Sequence, residues 1–440
     1  MATSFITAHP FGDAYAAHAG ALPATPWLQS LRSFARGEIA GGLPGPKAEE
    51  WRFTPLTHLA KIDFIPAATA DDVDVTVVPL GVPQIPGALR VVMVNGVYRA
   101  DLSDPVADAA DGLSIQTLSD AIASSKDREC PVGRIAPLSL PMVALNTVFM
   151  GGGLAITAER AVARTVHIIS IGAAGSRPVA FHPRIVIATE PGAAVNIVET
   201  HVGLPGQPFF ANPVTEIVVA PDATVRRSVA VIEEGDAYHL ATTVAAVAAR
   251  GTFQAFHLGL GGHTAEGTVR QEIHAAINGE GANVNVSGAY ALAGTMHHDF
   301  TTVINHRAAG SASRQIFKGA LDDKSHGVYQ GRIRVAPDAQ KTDARQVHKA
   351  LFLAQGPAVD CKPELEIDAD DVQCAHGAAT GALDADQLFY MTARGIDPET
   401  ARALLVEGFL TEAIAEIGDE VVRGVFGGLL ASWLQRRGAS

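Results

Sequence analysis

The chain has 440 residues, 48% hydrophobic and 18% charged; this is ordinary globular usage and more sequence than one compact core absorbs, which excludes a small module and a wholly disordered chain. Its 33 basic and 46 acidic residues give a formal net charge of -13, a field that repels a phosphate backbone and argues against a nucleic-acid partner. Three cysteines (Cys130, Cys361, Cys374) are too few for a disulfide framework, no basic-then-apolar leader opens the chain, and no apolar run reaches the ~18 residues of a membrane span, so a cytoplasmic protein without membrane contact is expected.

Residues 1–153 read as a mixed, partly helical region. Thr25 as N-cap and Pro26 at the first position open a short helix that Gly37 should stop, with Trp27, Leu31 and Phe34 on one face. A breaker-rich linker follows over 41–46. Strands are expected at Val73–Leu80 and Val91–Val94, and helices at Thr117–Ser125 and Leu140–Met150.

From 154 to 383 the texture changes to runs of Val, Ile and Thr with little helical periodicity: Thr165–Ile171, Ile185–Thr189, Val195–Val198, Thr215–Val219, Val225–Ile232, Thr268–Ile277 and Val284–Ser287. A small residue just after a turn recurs at Ala193, Ala223, Gly251, Ala282, Ala312 and Ala339, at spacings of 30, 28, 31, 30 and 27. A chain that revisits one corner about every thirty residues is expected to stack its circuits, since no circuit buries its own inner face. We read a parallel β-helix with a shared apolar interior; a two-sheet sandwich with turns at ordinary spacing is the alternative.

Residues 384–440 return to helical period. Ala385–Ala393 ends before Gly395, and Asp397-Pro398-Glu399 opens a second helix with Ala401, Leu404, Leu405, Phe409 and Ile414 on one face. A last helix over about 419–436 carries Gly424, Gly427 and Gly428, each costing roughly 1 kcal/mol relative to Ala.

No phosphate-binding loop, nucleophile elbow or zinc-protease signature occurs, and Gly259-Leu260-Gly261-Gly262-His263-Thr264 fails the dinucleotide fingerprint at its last position. Histidine is abundant at 16 copies, and most of these read as structural imidazoles. One local pair stands out. Leu365–His376 alternates as a strand, which puts Cys374 and His376, two apart, on the same face. Cys361 lies thirteen residues before Cys374, so no zinc knuckle is implied, and two ligands need completion by another chain or only transient loading.

Lys362–Ala378, with its Cys374-Ala375-His376-Gly377 core, closely resembles the SufD family of subunits of the SufBCD iron–sulfur cluster assembly complex, as do Asp386–Ile396, Ala401–Phe409, Glu49–Thr54, Ala144–Thr147 and Gln315–Gly319. The resemblance implies a mainly β protein: a right-handed parallel β-helix core flanked by N- and C-terminal α-helical regions. It further implies a non-enzymatic scaffold, pairing with a SufB-like paralogue and a SufC-like ABC ATPase, with a role in iron acquisition and an indirect link to a cysteine desulfurase. The ATPase-docking positions then fall on Gly395, Ile396, Ala401, Arg402, Leu405 and Phe409, and the missing phosphate loop is explained because nucleotide hydrolysis belongs to the partner. The family's interface histidine falls on His376, with Cys374 and Cys361 as further nascent-cluster or metal candidates. No cofactor is expected to stay on this chain alone; iron or an iron–sulfur cluster would pass transiently through the partner interface, and a homodimer is also allowed. The family more often carries Asn at Cys361 and Ser at Ala375, which leaves the role of Cys361 open. A β-helical carbohydrate-active enzyme and an ATPase-independent iron store are the alternatives from other classes.

Overall fold

Alternating Val, Ile and Thr from Gly153 onward builds two sheets that the chain visits in turn, with successive circuits pairing in parallel, while the N-terminal Leu113–Thr117 joins Gly153–Ala158 antiparallel. A computed structural model describes residues 5–6, 25–67, 82–106, 112–125, 132–204, 206–233, 237–262 and 267–438; the strand expected at Val73–Leu80 lies outside them. Sheet 1 runs from Leu113–Thr117 and Gly153–Ala158 through Arg184–Thr189, Val214–Val219, Ala237–Val247, Thr268–Ile277, His297–His306 and His326–Val335 to Ala358–Ile367. Sheet 2 runs from Leu89–Val94 and Val166–Gly172 through Ala194–Gly203, Thr224–Glu233, Thr252–Gly261, Asn283–Leu292, Ala312–Leu321 and Asp343–Phe352 to Gln373–Ala382. The architecture is a parallel β-solenoid, not a sandwich.

The corner explains the thirty-residue recurrence. A residue in the left-handed region (Gly192, Asp222, Arg250, Gly281, Gly310, Lys341) precedes a buried small residue at each circuit. The carbonyl of that small residue accepts from the first strand residue of the next circuit, as in Thr224 N to Ala193 O and Ala312 N to Ala282 O. The stacked positions are Ala193, Ala223, Gly251, Ala282, Ser311 and Thr342, so the expected Ala312 and Ala339 are displaced from the corner. Ser and Thr fit there because their hydroxyls turn back onto local carbonyls, Ser311 on Ala308 and Thr342 on Ala339.

Inward-facing Ile187, Ile217, Phe253, Ile273, Val284, Phe300 and Phe317 make the continuous core. That interior is not wholly apolar as expected. Arg227 meets Glu199 in a bidentate pair at 2.6 and 2.7 Å, with Thr243 taking a third N–H. Burial opposes the charge on Glu199, but Arg227 and His201 hold its carboxyl well below the usual range.

Helices α1 (Pro26–Glu38), α2 (Leu118–Ser124) and α3 (Pro141–Phe149) belong to the N-terminal region. Helix α1 runs past Gly37 and buries Leu28, Arg32 and Ala35; of the expected face, Trp27 and Leu31 are half-buried and Phe34 is 72% exposed. Arg32 decides the rotation by donating to the Met150 carbonyl from a buried position. Helices α4 (Ala385–Ala393), α5 (Pro398–Ile414) and α6 (Glu420–Gly438) follow the solenoid. The last two press Val406, Leu410, Ala413, Phe426 and Leu430 onto Phe256, Leu258, Ala289 and Ala320 of the outer face of sheet 2, and Trp433 Nε1 donates to Gly261 O at 2.8 Å. Among the described residues no helix is long and apolar enough to cross a membrane.

Buried imidazoles set the acid limit of this fold. Burial lowers His167, His306 and His348 to about 4, with Arg90 adding at His167, and burial foremost lowers His182 and His257 to about 3. Each binds its proton more readily unfolded, near 6.5, than folded; stability present above pH 6.5 is therefore lost as pH falls toward 4, by up to about 2 kcal/mol per imidazole at pH 5. The urea midpoint should fall steeply between pH 6.5 and 5; a flat profile over that range would show that these rings charge without unfolding.

Candidate functional site at the end of the solenoid

Among the described residues the last strand of each sheet has a neighbour on one side only, so Ala358–Ile367 and Gln373–Ala382 present free edges. The alternating stretch read as one strand over Leu365–His376 is broken by a corner at 368–372, where Lys341 N donates to the Asp371 carbonyl and the Lys341 ammonium pairs with the Asp371 carboxylate. Cys374 and His376 still share one strand.

Register places all three nominated ligands on the inward side of this final circuit. Cys361 lies opposite Tyr329, Cys374 opposite Ala344 and His376 opposite Gln346, and Tyr329, Ala344 and Gln346 are buried interior positions. Below them the lumen is closed: the rings of Tyr329 and His348 stack at 5.0 Å, and His348 Nε2 lies 2.9 Å from the Tyr290 hydroxyl. Cys361 packs against the main core and Cys374 against the cluster containing Ile333, Val335 and Ala344, while His376 is exposed. Burial pushes the Cys361 thiol up to about 11, and burial foremost raises Cys374 too, so both are thiols rather than ligand-ready thiolates at neutral pH. Among the described residues no group of three or more His, Cys, Asp or Glu is arranged to hold a metal ion, so the three face one lumen without closing a site.

The second surface is C-terminal. Asp384 caps α4 through Asp386 N and Gln387 N, and Asp397 caps α5 through Glu399 N and Thr400 N. Of the expected docking positions, Gly395 is exposed, Arg402, Ile396, Leu405 and Phe409 are half-buried, and Ala401 is fully buried on the packed face of α5. Phe409 is engaged internally, with Lys318 Nζ 4.5 Å from its ring centre. Sequence reasoning missed the residues that stand out: Phe389 (72% exposed), Tyr390 (60%) and Leu404 (45%). The available signal was that α4 carries Leu388, Phe389, Tyr390 and Met391 in a row, more apolar surface than one short helix face can bury.

The family model described as "SUF system FeS cluster assembly, SufBD core domain" matches residues 170–409, more than half of the chain and most of the solenoid. This chain belongs to the SufBD family. Its role therefore lies in iron–sulfur cluster assembly. The SufBD chain is 28% identical over 388 residues to "Iron-sulfur cluster assembly SufBD family protein slr0076" of Synechocystis, covering 85% of this chain and 84% of that one. It is also 28% identical over 388 residues to "Iron-sulfur cluster assembly protein SufD" of Escherichia coli, covering 86% of each. "Protein ABCI7, chloroplastic" of Arabidopsis thaliana is 33% identical over 244 residues, 55% of this chain and 50% of that protein.

Proposed function

We propose that this SufBD protein is a non-enzymatic scaffold that pairs with a SufB-like paralogue through its terminal strands and carries a SufC-like ABC ATPase on its C-terminal helices. The observation that carries the reading is the inward alignment of Cys361, Cys374 and His376 on a circuit whose two edges lack a neighbouring strand among the described residues. Unpaired strand edges are templates for a second chain. The strand Gln373–Ala382 is Gly- and Ala-rich and almost wholly exposed, which lets a partner backbone approach closely. A partner seated there would cover His376 and supply the thiolates that this chain lacks, so that iron or a nascent cluster is held at the junction rather than by one subunit. Iron acquisition and sulfur delivered indirectly from a cysteine desulfurase both fit such a shared site. Helices α5 and α6 lie directly on sheet 2, so ATPase closure on them would be transmitted to the solenoid.

Because His376 is exposed, His376→Ala should leave the thermal midpoint unchanged. It should lower iron and sulfide yield at least tenfold in a complex reconstituted with paralogue, ATPase and sulfur donor. Unchanged yield would remove His376 from the mechanism. Polysaccharide cleavage by the isolated chain would defeat the scaffold reading itself.

A further inference from the structure

On the outer face of sheet 1, away from the terminal lumen, two imidazoles from adjacent circuits meet. His297 opens the strand His297–His306 and His326 opens His326–Val335; they are register partners, with Nδ1 atoms 3.2 Å apart. The far nitrogen of each ring is already committed. His326 Nε2 lies 2.8 Å from Asp360 Oδ2. His297 Nε2 lies 2.9 Å from Thr54 Oγ1, and that hydroxyl donates to Asp299 Oδ2.

Counting protons fixes the tautomers. The carboxylate of Asp299 also accepts from Arg270 and Thr301, so the Thr54 hydrogen points to it and Thr54 must accept from His297 Nε2–H. Asp360 likewise accepts from His326 Nε2–H. With one proton on each far nitrogen, both Nδ1 atoms turn lone pairs toward each other, a gap that a shared proton or a metal ion would fill.

Ring geometry favours convergence on a third atom. The centroids are 4.7 Å apart with planes at 79°. Coaxial rings joined by a straight N–H···N bond of this length would sit about 5.5 Å apart, whereas two rings aimed at one ion at ~2.05 Å would sit about 5.0 Å apart and subtend roughly 100° at it. We propose that His297 and His326 form a two-imidazole site for a first-row divalent ion of the zinc and cobalt class, with Asp360 and the Thr54–Asp299 pair orienting the rings. Carboxylates on the far nitrogen of ligating histidines are the usual outer partners of such sites. Two protein ligands leave the remaining positions to water, which reaches the site along the His326 side chain, 30% exposed. Imidazole without thiolate suits borderline ions over soft ones. This site rests on no part of the cluster-assembly reading.

Titration of the untagged, metal-free full-length chain with Co2+ tests it. One equivalent should bind with visible ligand-field bands and be displaced by Zn2+. His326→Gln should weaken binding at least 100-fold and Asp360→Asn about 10- to 100-fold. Both lie at a part-exposed position, so their circular dichroism melts should match the native chain. A variant combining Cys361→Ser, Cys374→Ser and His376→Ala should bind as the native chain does. No saturable binding, undiminished binding in His326→Gln and Asp360→Asn, or nitrogen NMR showing His326 Nδ1 still protonated under excess Zn2+ would each overturn the proposal, the last by showing that a proton fills the gap.

Discussion

Glu216→Ala is expected to cost about 3–5 kcal/mol, read as a fall in the urea midpoint. Glu216 is fully buried on the outer face of sheet 1. Its Oε1 accepts from Gly133 N at 2.6 Å and from Arg184 Nε and Nη2 at 3.0 and 2.8 Å; its Oε2 accepts from Ile135 N and Ala136 N at 3.0 and 3.2 Å. Burial would raise this carboxyl, but Arg184 and the Gly133 and Ile135 N–H groups hold it below its usual range. Truncation would strand three backbone donors and leave the buried Arg184 guanidinium with Asn146 Oδ1 at 3.1 Å. Glu216→Gln should cost less, because one amide oxygen still accepts while the amide nitrogen confronts donors. A loss under 1 kcal/mol for the Ala variant would mean that water replaces the carboxylate and that segment 133–136 is not pinned by it.

Phe389→Asp combined with Leu404→Asp is expected to weaken binding of a SufC-like ATPase at least 100-fold while leaving the fold intact. The two side chains are 72% and 45% exposed, and α4 buries none of its residues, so a charge there faces water in the free chain. In a complex the same charges would sit in a desolvated contact centre, where large aromatic and aliphatic anchors concentrate binding energy and an unpaired carboxylate is costly. The Arg394 guanidinium lies 5.0 Å from the Tyr390 ring centre, a cation–π contact within this patch. Ala401→Ser would be a poor substitute as a test, because Ala401 is buried on the packed face of α5 and reports packing rather than contact.

The solenoid was legible because two physical requirements repeat in the chain: alternating Val, Ile and Thr along each strand, and a small residue wherever the backbone turns a corner. The corner signal failed at Ser311 and Thr342, where a hydroxyl bonded to a nearby carbonyl does what Ala does elsewhere. Strand alternation brought Cys374 and His376 into view on one face, with Cys361 upstream, and the SufD resemblance added the interface role of His376. Register against Tyr329, Ala344 and Gln346 was not legible, since a strand does not encode which circuit lies beneath it. The apolar faces expected in α1 and α5 coincide only in part with the buried ones. In α1 the buried Arg32 sets the orientation, and in α5 the buried residues are Ala401, Val406, Leu410, Ala413 and Ile414, which leaves Leu404 outside. The His297 and His326 pair carried a usable signal, because their 29-residue separation is one circuit of the recurrence.

The most direct test of the scaffold account is retention of this chain on an immobilised SufC-like ATPase in the presence of a SufB-like paralogue, with native mass spectrometry of the eluate. The account predicts an assembly containing all three proteins, and loss of ATPase contact when the chain is cut after Leu383. An intact chain that elutes alone, or a truncated one that still holds the ATPase, would contradict it.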